Sequence, residues 1–528
     1  MPLLRASVRA QCAAPSLPTC GWICPPVGAP NSSRGGCDPR SAGLKPALPS
    51  ARTFSFSSAP DSANYPTRMN SLSRVLYCVL FFANCAPVFA AETARPNILF
   101  ILMDDMGWTD LGSFGSKFYK SPNIDALAAQ GMKFTQAYAA CPVCSPTRAS
   151  ILTGKYPARL HLTDFIPGRN VMSDQKLLRP DFHKQLPLEE VTIAEELKKA
   201  GYISGAFGKW HLGGKGFEPQ QQGFDVGVAV DARGGLPGSS EPGTGDYEIT
   251  GQSLKFIEAN RDKPFFAYVA YHTPHIPLAA PREMVDKYEA LIHPAWPHTN
   301  ATYAAMVEVA DAQIGRLLAR LQELNLETNT VVIFTSDNGG LHVREWKGVV
   351  KATQNLPLRA GKGYLYEGGT RVPLIVRWPG VVKPGTTRTN AVSSVDYFPT
   401  ILQIAGVKTA TNQIVDGQSI LPLLSESDGM KPRDLFWHYP HYPNQGGAPG
   451  GAIVDGDFKL IEFYEDGHWE LYNLREDLGE KNNLAETMPA KAAQLAARLD
   501  VWRRNVGAQM MFPNPIWESG KPRAIPPE

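Results

Sequence analysis

Four stretches of this 528-residue chain are continuously apolar and end abruptly in residues that carry chemistry. Asn97-Ile-Leu-Phe-Ile-Leu-Met103 stops at Asp104-Asp105, and Ile203-Ser-Gly-Ala-Phe207 runs into Gly208-Lys209-Trp210-His211. Pro264-Phe-Phe-Ala-Tyr-Val-Ala270 runs into Tyr271-His272-Thr273-Pro274-His275, and Thr330-Val-Val-Ile-Phe-Thr335 into Ser336-Asp337-Asn338-Gly339-Gly340. Apolarity without alternation fits strands covered on both faces, as in a parallel sheet. Helical stretches alternate with them. Ser121-Pro122 opens one that Gly131 closes, and Thr192-x-x-Glu195 is a capping box with Gly201 beyond it. Met306, Ala310, Ile314, Leu317 and Leu321 form an apolar stripe at helical spacing. The expectation is an α/β fold built on a doubly wound sheet, with ligands bound beyond the carboxyl ends of its strands.

The texture changes after about Ser425. Gly446-Gly447 and Gly450-Gly451 read as a loop, and Ala452–Ile461 reads as strand, Asp-Gly turn, strand. His468–Tyr472 is a further strand, and an amphipathic helix follows from about Ala490 to Trp502. A smaller C-terminal α+β domain is expected over 426–528, after a larger domain over 91–425. The aromatic, histidine-rich Trp437–Tyr442 reads as a linker between them. It is placed either to stack on a ligand ring, with His441 as a substrate contact, or simply to pack the domains together.

Residues 1–68 are rich in Pro, Ser, Ala and Gly and hardly acidic, a composition that buries no core. Met69–Arg74, the apolar Val75–Ala83 and the Val88-Phe-Ala90 ending form a short basic region, an apolar core and a small-residue cleavage site. Residues 69–90 therefore read as a signal peptide, and 1–68 as an over-extension ahead of a true start at Met69. An organelle-targeting leader is the alternative. Residues 1–90 hold eight of the 52 Lys+Arg, two of the 50 acids and six of the eight cysteines. Without them 44 bases face 48 acids, a balance of −4 instead of +2. That gives nucleic-acid binding no support. With only Cys141 and Cys144 left, the exported chain is not a disulfide scaffold, and roughly 430 residues suffice for a large core. No later run is long enough to span a membrane. A periplasmic or secreted location follows.

In Cys141–Lys155 the Cys144 thiol is followed by Pro146 and, four positions on, Arg148. If Pro146 lies just inside a helix start, Cys144 and Arg148 share one face a turn apart. The thiol would sit at the positive helix end beside a permanent cation, an anion site with an activated cysteine. Cys141-x-x-Cys144 as a redox pair or half a zinc site is the competing reading, although no further cysteine exists downstream. Asp104-Asp105 and Asp337-Asn338 offer hard oxygen ligands, which suit Ca²⁺ or Mg²⁺ equally. Lys209 and His211 can neutralise an anion and move protons.

Cys144-x-Pro-x-Arg148 with Leu152-Thr153-Gly154 resembles the sulfatase signature, with Thr147 where serine is commoner. Gly208-Lys-Trp-His-Leu-Gly213, Pro274-His275 and the Gly-Lys362-Gly…Glu367-Gly-Gly block match further family segments, in family order from about Arg95 to Leu484. The resemblance implies an alkaline-phosphatase-like fold in which Cys144 is modified to formylglycine, whose hydrated aldehyde attacks the sulfur of a sulfate ester. It implies Ca²⁺, rather than Mg²⁺, on Asp104, Asp105, Asp337 and Asn338, touching residue 144 as well. Lys209 and Lys362 would contact sulfate, and Arg148 would help stabilise charge on its oxygens. His275 would face the leaving oxygen, and His211 would bond the formylglycine hydroxyl and help expel sulfate. Partners implied are a sulfated carbohydrate or small sulfate ester and a formylglycine-generating maturation enzyme. The alternatives are a phosphonate or phosphate ester hydrolase on the same fold, and a protein that binds sulfated glycans without cleaving them.

Overall fold

The protein is described here by a computed structural model covering residues 95–229, 244–343, 351–408, 413–427 and 430–518. The leader over 1–68 and the signal-like segment over 69–90 lie outside the described residues.

The strands, in chain order, begin with β1 (Asn97–Met103), β2 (Met132–Tyr138), β3 (Leu177–Leu178), β4 (Ile203–Gly208) and β5 (Val226–Ala229). They continue with β6 (Phe265–Ala270), β7 (Thr330–Ser336), β8 (Arg371–Arg377), β9 (Thr386–Arg388) and β10 (Val392–Ser393). A nine-stranded sheet runs β10-β2-β8-β7-β1-β6-β4-β5, with β9 also on β2. Among the described strands of this sheet, β8 alone runs opposite to the rest.

The four strands announced by apolar runs, β7-β1-β6-β4, are consecutive neighbours and mutually parallel. Their ends are in register. Met103 lies beside Ser336, Leu102 beside Ala270, and Ala270 beside Gly208. The chemistry-bearing residues that follow therefore emerge along one rim.

Both sheet faces are covered, which is why these strands do not alternate in polarity. Ile98, Phe100 and Leu102 pack with apolar residues of the helices Cys144–Thr153, Ile193–Lys199 and Tyr397–Ile404. Leu99, Ile101 and Met103 face the helices Pro122–Gln130, Thr244–Ala259 and Ala301–Glu323. The capping box at Thr192 and Glu195 forms as expected.

A separate antiparallel sheet follows, β11 (Leu435–Tyr439), β12 (Gly450–Asp455), β13 (Phe458–Phe463) and β14 (Trp469–Asn473), paired in that order. One face packs on the helix Pro489–Val506 through Ile453, Leu460, Leu471, Leu495 and Leu499. The other, through Trp437, Ala452, Val454 and Ile461, packs on Tyr138, Cys141 and Val143. It thus backs the segment that leads into Cys144. A short pair, β3 with β15 (Phe512–Pro513), completes the pairing. Two expectations are corrected here. Trp437–Tyr439 belongs to β11, and Gly450-Gly451 belongs to β12, where Gly450 pairs with Tyr439 and Phe463.

The two sheets are also joined by buried charge. Lys459 of β13 is fully buried and lies 2.9 Å from Glu367 and 3.1 Å from Glu480. Glu367 in turn meets Arg371 at 2.7 Å and accepts from the Tyr138 hydroxyl at 3.0 Å. Burial alone would raise the Glu367 pKa, but Lys459 and Arg371 outweigh it and hold it below the ordinary range. Removing one member of such a network leaves an uncompensated buried charge. Lys459→Met is expected to destabilise the fold by about 3–5 kcal/mol, read as a lower denaturant midpoint. An unchanged midpoint would contradict this account of the junction.

Candidate active site

The helix Cys144–Thr153 begins on Cys144, one residue after extended Val143, and ends at left-handed Gly154. All ten of its residues are buried, so no polar face is visible in its sequence. The Thr147 hydroxyl donates to the Cys141 carbonyl at 3.0 Å, tying the first turn to the entering chain. Arg148, one turn on from Cys144, is fully buried. Its Nε and one terminal nitrogen each lie 2.8 Å from Asp337 Oδ2, and its other terminal nitrogen donates to the Lys209 carbonyl at 2.7 Å. One side chain thereby joins the Cys144 helix to the ends of β7 and β4.

Strand β4 ends at Gly208, whose φ of +98° and 2.0 Å approach of a Cβ to the Ala270 carbonyl admit only glycine. Lys209 Nζ then reaches Asp104 Oδ2 at 2.5 Å. His211, at φ +57°, bends back so that its Nδ1 lies 3.3 Å from Cys144 Sγ and its Nε2 2.7 Å from the Ile166 carbonyl. Both side chains reach one cavity, His211 through a left-handed bend. Lys362 is sewn in by backbone bonds from Lys362 N–H to the Gly340 carbonyl and from Gly363 N–H to the Pro142 carbonyl. The fit needs glycine at 339, where a Cβ would come within 1.8 Å of the Gly368 carbonyl. Lys362 Nζ lies 2.8 Å from Asp105 Oδ2 and 2.9 Å from His275 Nε2, while His275 Nδ1 faces the Ile276 carbonyl at 2.5 Å.

Asp104, Asp105, Cys144, Arg148, Lys209, His211, His275, Asp337, Asn338 and Lys362 are thus brought together from separate parts of the chain. Three carboxylates face three permanent cations, all buried. Burial would raise Asp104, but Lys209, His275, Arg148 and Lys362 hold it well below the usual carboxylate range. Asp337 is pushed up to about 7 by burial and by Asp104, with Arg148 opposing. Burial lowers His211 well below the usual imidazole range, and Lys209 adds to this. It also lowers His275, with Lys362 adding to it.

The activated thiol expected at the helix start is corrected. Burial raises the Cys144 pKa against the pull of Lys209 and Lys362, and Arg148 is engaged with Asp337. Cys141 and Cys144 are both free thiols.

One ligand atom from each of Asp104, Cys144 and Asp337 lies within 4.8 Å of the others, and the same holds for Asp104, Asp105 and His275. Asp104 Oδ1 and Asn338 Oδ1 are buried without a hydrogen-bond partner among the described residues. Orphaned hard oxygens in this cluster fit a divalent cation.

A cavity of about 610 Å³ opens onto Cys144, Lys209, His211, His275 and Lys362. Its outer wall includes Phe165, Lys215, Glu218, His272, Asn444 and Gln445, which no sequence motif had marked apart from His272. His441, by contrast, is fully buried, with Nε2 2.8 Å from Thr163 Oγ1 and Nδ1 3.6 Å from Asp164. Trp437 is buried too. This corrects the substrate contact expected of His441: the segment packs the two sheets together.

The sequence profile of the sulfatase family matches residues 96–407, more than half of the chain. The chain belongs to the sulfatase family. It is a sulfuric ester hydrolase on an alkaline-phosphatase-like fold. Residues 360–505 also match the profile described as N-sulphoglucosamine sulphohydrolase, C-terminal. A sulfatase of Formosa agariphila is 32% identical over 85% of this chain and 96% of its own length. Mouse N-acetylgalactosamine-6-sulfatase is 33% identical over 75% of this chain and 77% of its own. The crystal structure of Ps i-CgsB in complex with k-i-k-neocarrahexaose is 28% identical, with a TM-score of 0.66, covering 80% of this chain and 95% of that one.

Beside the cavity, buried Asp164 accepts from the Phe165 N–H at 2.9 Å and the Tyr439 hydroxyl at 3.0 Å. Burial nevertheless pushes its pKa up to about 7. A carboxyl raised in the folded state contributes stability that is complete below its unfolded pKa and lost as pH rises through the folded one. Asp164→Asn removes that loss. Its stability relative to wild type is expected to rise between about pH 4 and about pH 7, measured by urea denaturation. A pH-independent difference would contradict the shift.

Proposed function

We propose that the protein removes sulfate from sulfated carbohydrates, using a formylglycine made from Cys144 by a maturation enzyme and a Ca²⁺ ion held by Asp104, Asp105, Asp337 and Asn338. The supporting observation is that Cys144, His211, Lys209, Lys362 and Asp104 line one cavity, with Asp105 and Asp337 in contact with this group. Sulfated saccharides are favoured because a relative of 33% identity is named N-acetylgalactosamine-6-sulfatase, and a solved structure of the same fold holds an oligosaccharide. The chain would act in the periplasm or outside the cell. No helix among the described residues is long and apolar enough to cross a membrane.

The cation, when bound, supplies Lewis-acid stabilisation of negative charge, and the aldehyde hydrate supplies an oxygen nucleophile that the buried thiol does not. The remaining roles fall to side chains. Lys209 and Lys362 present ammonium groups to the cavity, where they hold sulfuryl oxygens and stabilise charge developing on them. Arg148 fixes Asp337 and the Lys209 backbone, orienting cation ligands and lysine together. The Ile166 carbonyl accepts from His211 Nε2, so Nδ1 presents its lone pair to residue 144 and accepts a proton there. His275 Nε2 accepts from Lys362, and this pair faces the leaving oxygen and delivers the proton it needs.

The charge count points to coupling. With three carboxylates and three permanent cations already balanced, a divalent cation and an anion compensate each other in the cavity better than either does alone. Ca²⁺ and inorganic sulfate are expected to raise each other's affinity, seen as a thermal shift with both that exceeds the sum of the separate shifts. Additive shifts, or a preference for neither ion, would contradict the assignment. In sulfate-release assays on a sulfated-oligosaccharide panel, Cys144→Ala is expected to lose roughly 10³-fold or more. Lys209→Ala and Lys362→Ala are expected to lose about 10²–10³-fold. Retained turnover in Cys144→Ala, or phosphonate ester cleavage exceeding sulfate release in wild type, would overturn the reading.

A further inference from the structure

The tautomer of His211 is set by a carbonyl, and that carbonyl is held in place by the second sheet. His211 Nε2 lies 2.7 Å from the Ile166 carbonyl, which can only accept, so the ring hydrogen is on Nε2 and the Nδ1 lone pair faces residue 144. The strand of chain that carries this carbonyl, residues 163–166, has no regular secondary structure. Its position is fixed by side chains. The Ile166 N–H donates to Ser145 Oγ at 3.2 Å, in the first turn of the Cys144 helix. Asp164 Oδ1 accepts both from the Phe165 N–H and from the hydroxyl of Tyr439, the last residue of β11. Thr163 Oγ1 meets His441 Nε2 at 2.8 Å. His441 Nδ1 and Asp164 Oδ2 face each other at 3.6 Å, each without a hydrogen-bond partner among the described residues. Asp164, Tyr439 and His441 are all fully buried. Tyr439 therefore reaches the imidazole through three hydrogen bonds: its hydroxyl to the Asp164 carboxylate, the Phe165 N–H to the same carboxylate and, one residue on, His211 Nε2–H to the Ile166 carbonyl.

We propose that Tyr439 and Asp164 are positioning residues, which act through the Ile166 carbonyl to hold His211 as the Nε2–H tautomer with its Nδ1 lone pair on residue 144. The inference rests on the reading that residue 144 carries the nucleophile. It gives the small sheet a part in turnover: β11 supplies the far anchor of a catalytic base that lies on the large sheet. It also accounts for His441, just after β11, whose Nε2 meets Thr163 Oγ1 in this anchor instead of facing the substrate. Because the chain of contacts ends on His211 and not on the lysines that bind sulfate, loosening it affects the proton-transfer steps and leaves substrate binding intact.

The test uses the full chain with Tyr439→Phe, Asp164→Ala and Asp164→Asn. Tyr439→Phe removes one hydroxyl and keeps the ring in the core; Asp164→Asn keeps an acceptor oxygen. Two readouts are taken. The first is kcat and KM on a small aryl sulfate. The second is the nitrogen-15 spectrum of histidine-labelled protein, with the His211 signals identified by their loss in His211→Gln. Wild type is expected to show the Nε2–H pattern at His211. Tyr439→Phe is expected to lower kcat roughly tenfold with KM within about twofold, and to shift the His211 signals away from that pattern. Asp164→Ala follows it if folded, and Asp164→Asn restores both readouts. A wild-type kcat with unmoved His211 signals in Tyr439→Phe would overturn the proposal. So would a kcat loss without a change at His211, a KM that rises in proportion, or an Asp164→Asn as impaired as Tyr439→Phe. If wild type releases no sulfate yet Tyr439→Phe still disturbs the His211 pattern, the sulfatase mechanism fails and the positioning role stands.

Discussion

Arg148 is the contact on which the site depends. Its guanidinium is fully buried, which is tolerable only because Asp337 takes two of its nitrogens and the Lys209 carbonyl a third. Asp104 is 3.8 Å away and completes the balance. Through this one side chain the helix carrying Cys144, the end of β7 and the end of β4 are locked into one geometry. An arginine suits the place better than a lysine would, since a planar fork can hold a carboxylate and a carbonyl at once.

That lock is effective because the sheet delivers its partners to the same height. The strands β7, β1, β6 and β4 are neighbours, parallel and in register. Acids, amide, lysine and histidines consequently appear side by side, although they are as far apart in sequence as Asp104 and Asn338. The buried carboxylates and cations balance one another within this rim. The second sheet backs the arrangement from behind, with Trp437 donating to the Ala139 carbonyl at 2.8 Å just ahead of the Cys144 segment.

Much of this was legible in the chain because the signals were local. Apolar runs without alternation marked β1, β4, β6 and β7, and the polar residues at their ends marked the site. Pro122, Gly131, Pro146, Thr192 and the stripe from Met306 to Leu321 placed helices through capping and periodicity. What escaped depended on distant contacts. Strand β2, Met-Lys-Phe-Thr-Gln-Ala-Tyr, is only partly apolar and carries no run to announce it; pairing with β8 decides it. The direction of β8 is likewise a property of its neighbours. The aromatic and polar residues of Trp437–Tyr439 fit an exposed binding loop as well as a buried strand, so sequence alone places the segment in a linker. Partners at Ala139, Asp164 and Tyr464 are what bury it. The Cys144 thiol looked activated for the same kind of reason. Helix position and a nearby arginine were visible, whereas full burial and the engagement of Arg148 with Asp337 were not.

The central claim is that the chain's nucleophile is the modified residue 144 and not a thiolate. Peptide mass spectrometry across Cys141–Lys155, on protein made in its native host, tests it most directly. With the proposed function, an aldehyde is expected at position 144 in the active fraction. A free thiol there, in a preparation that releases sulfate, would contradict the account.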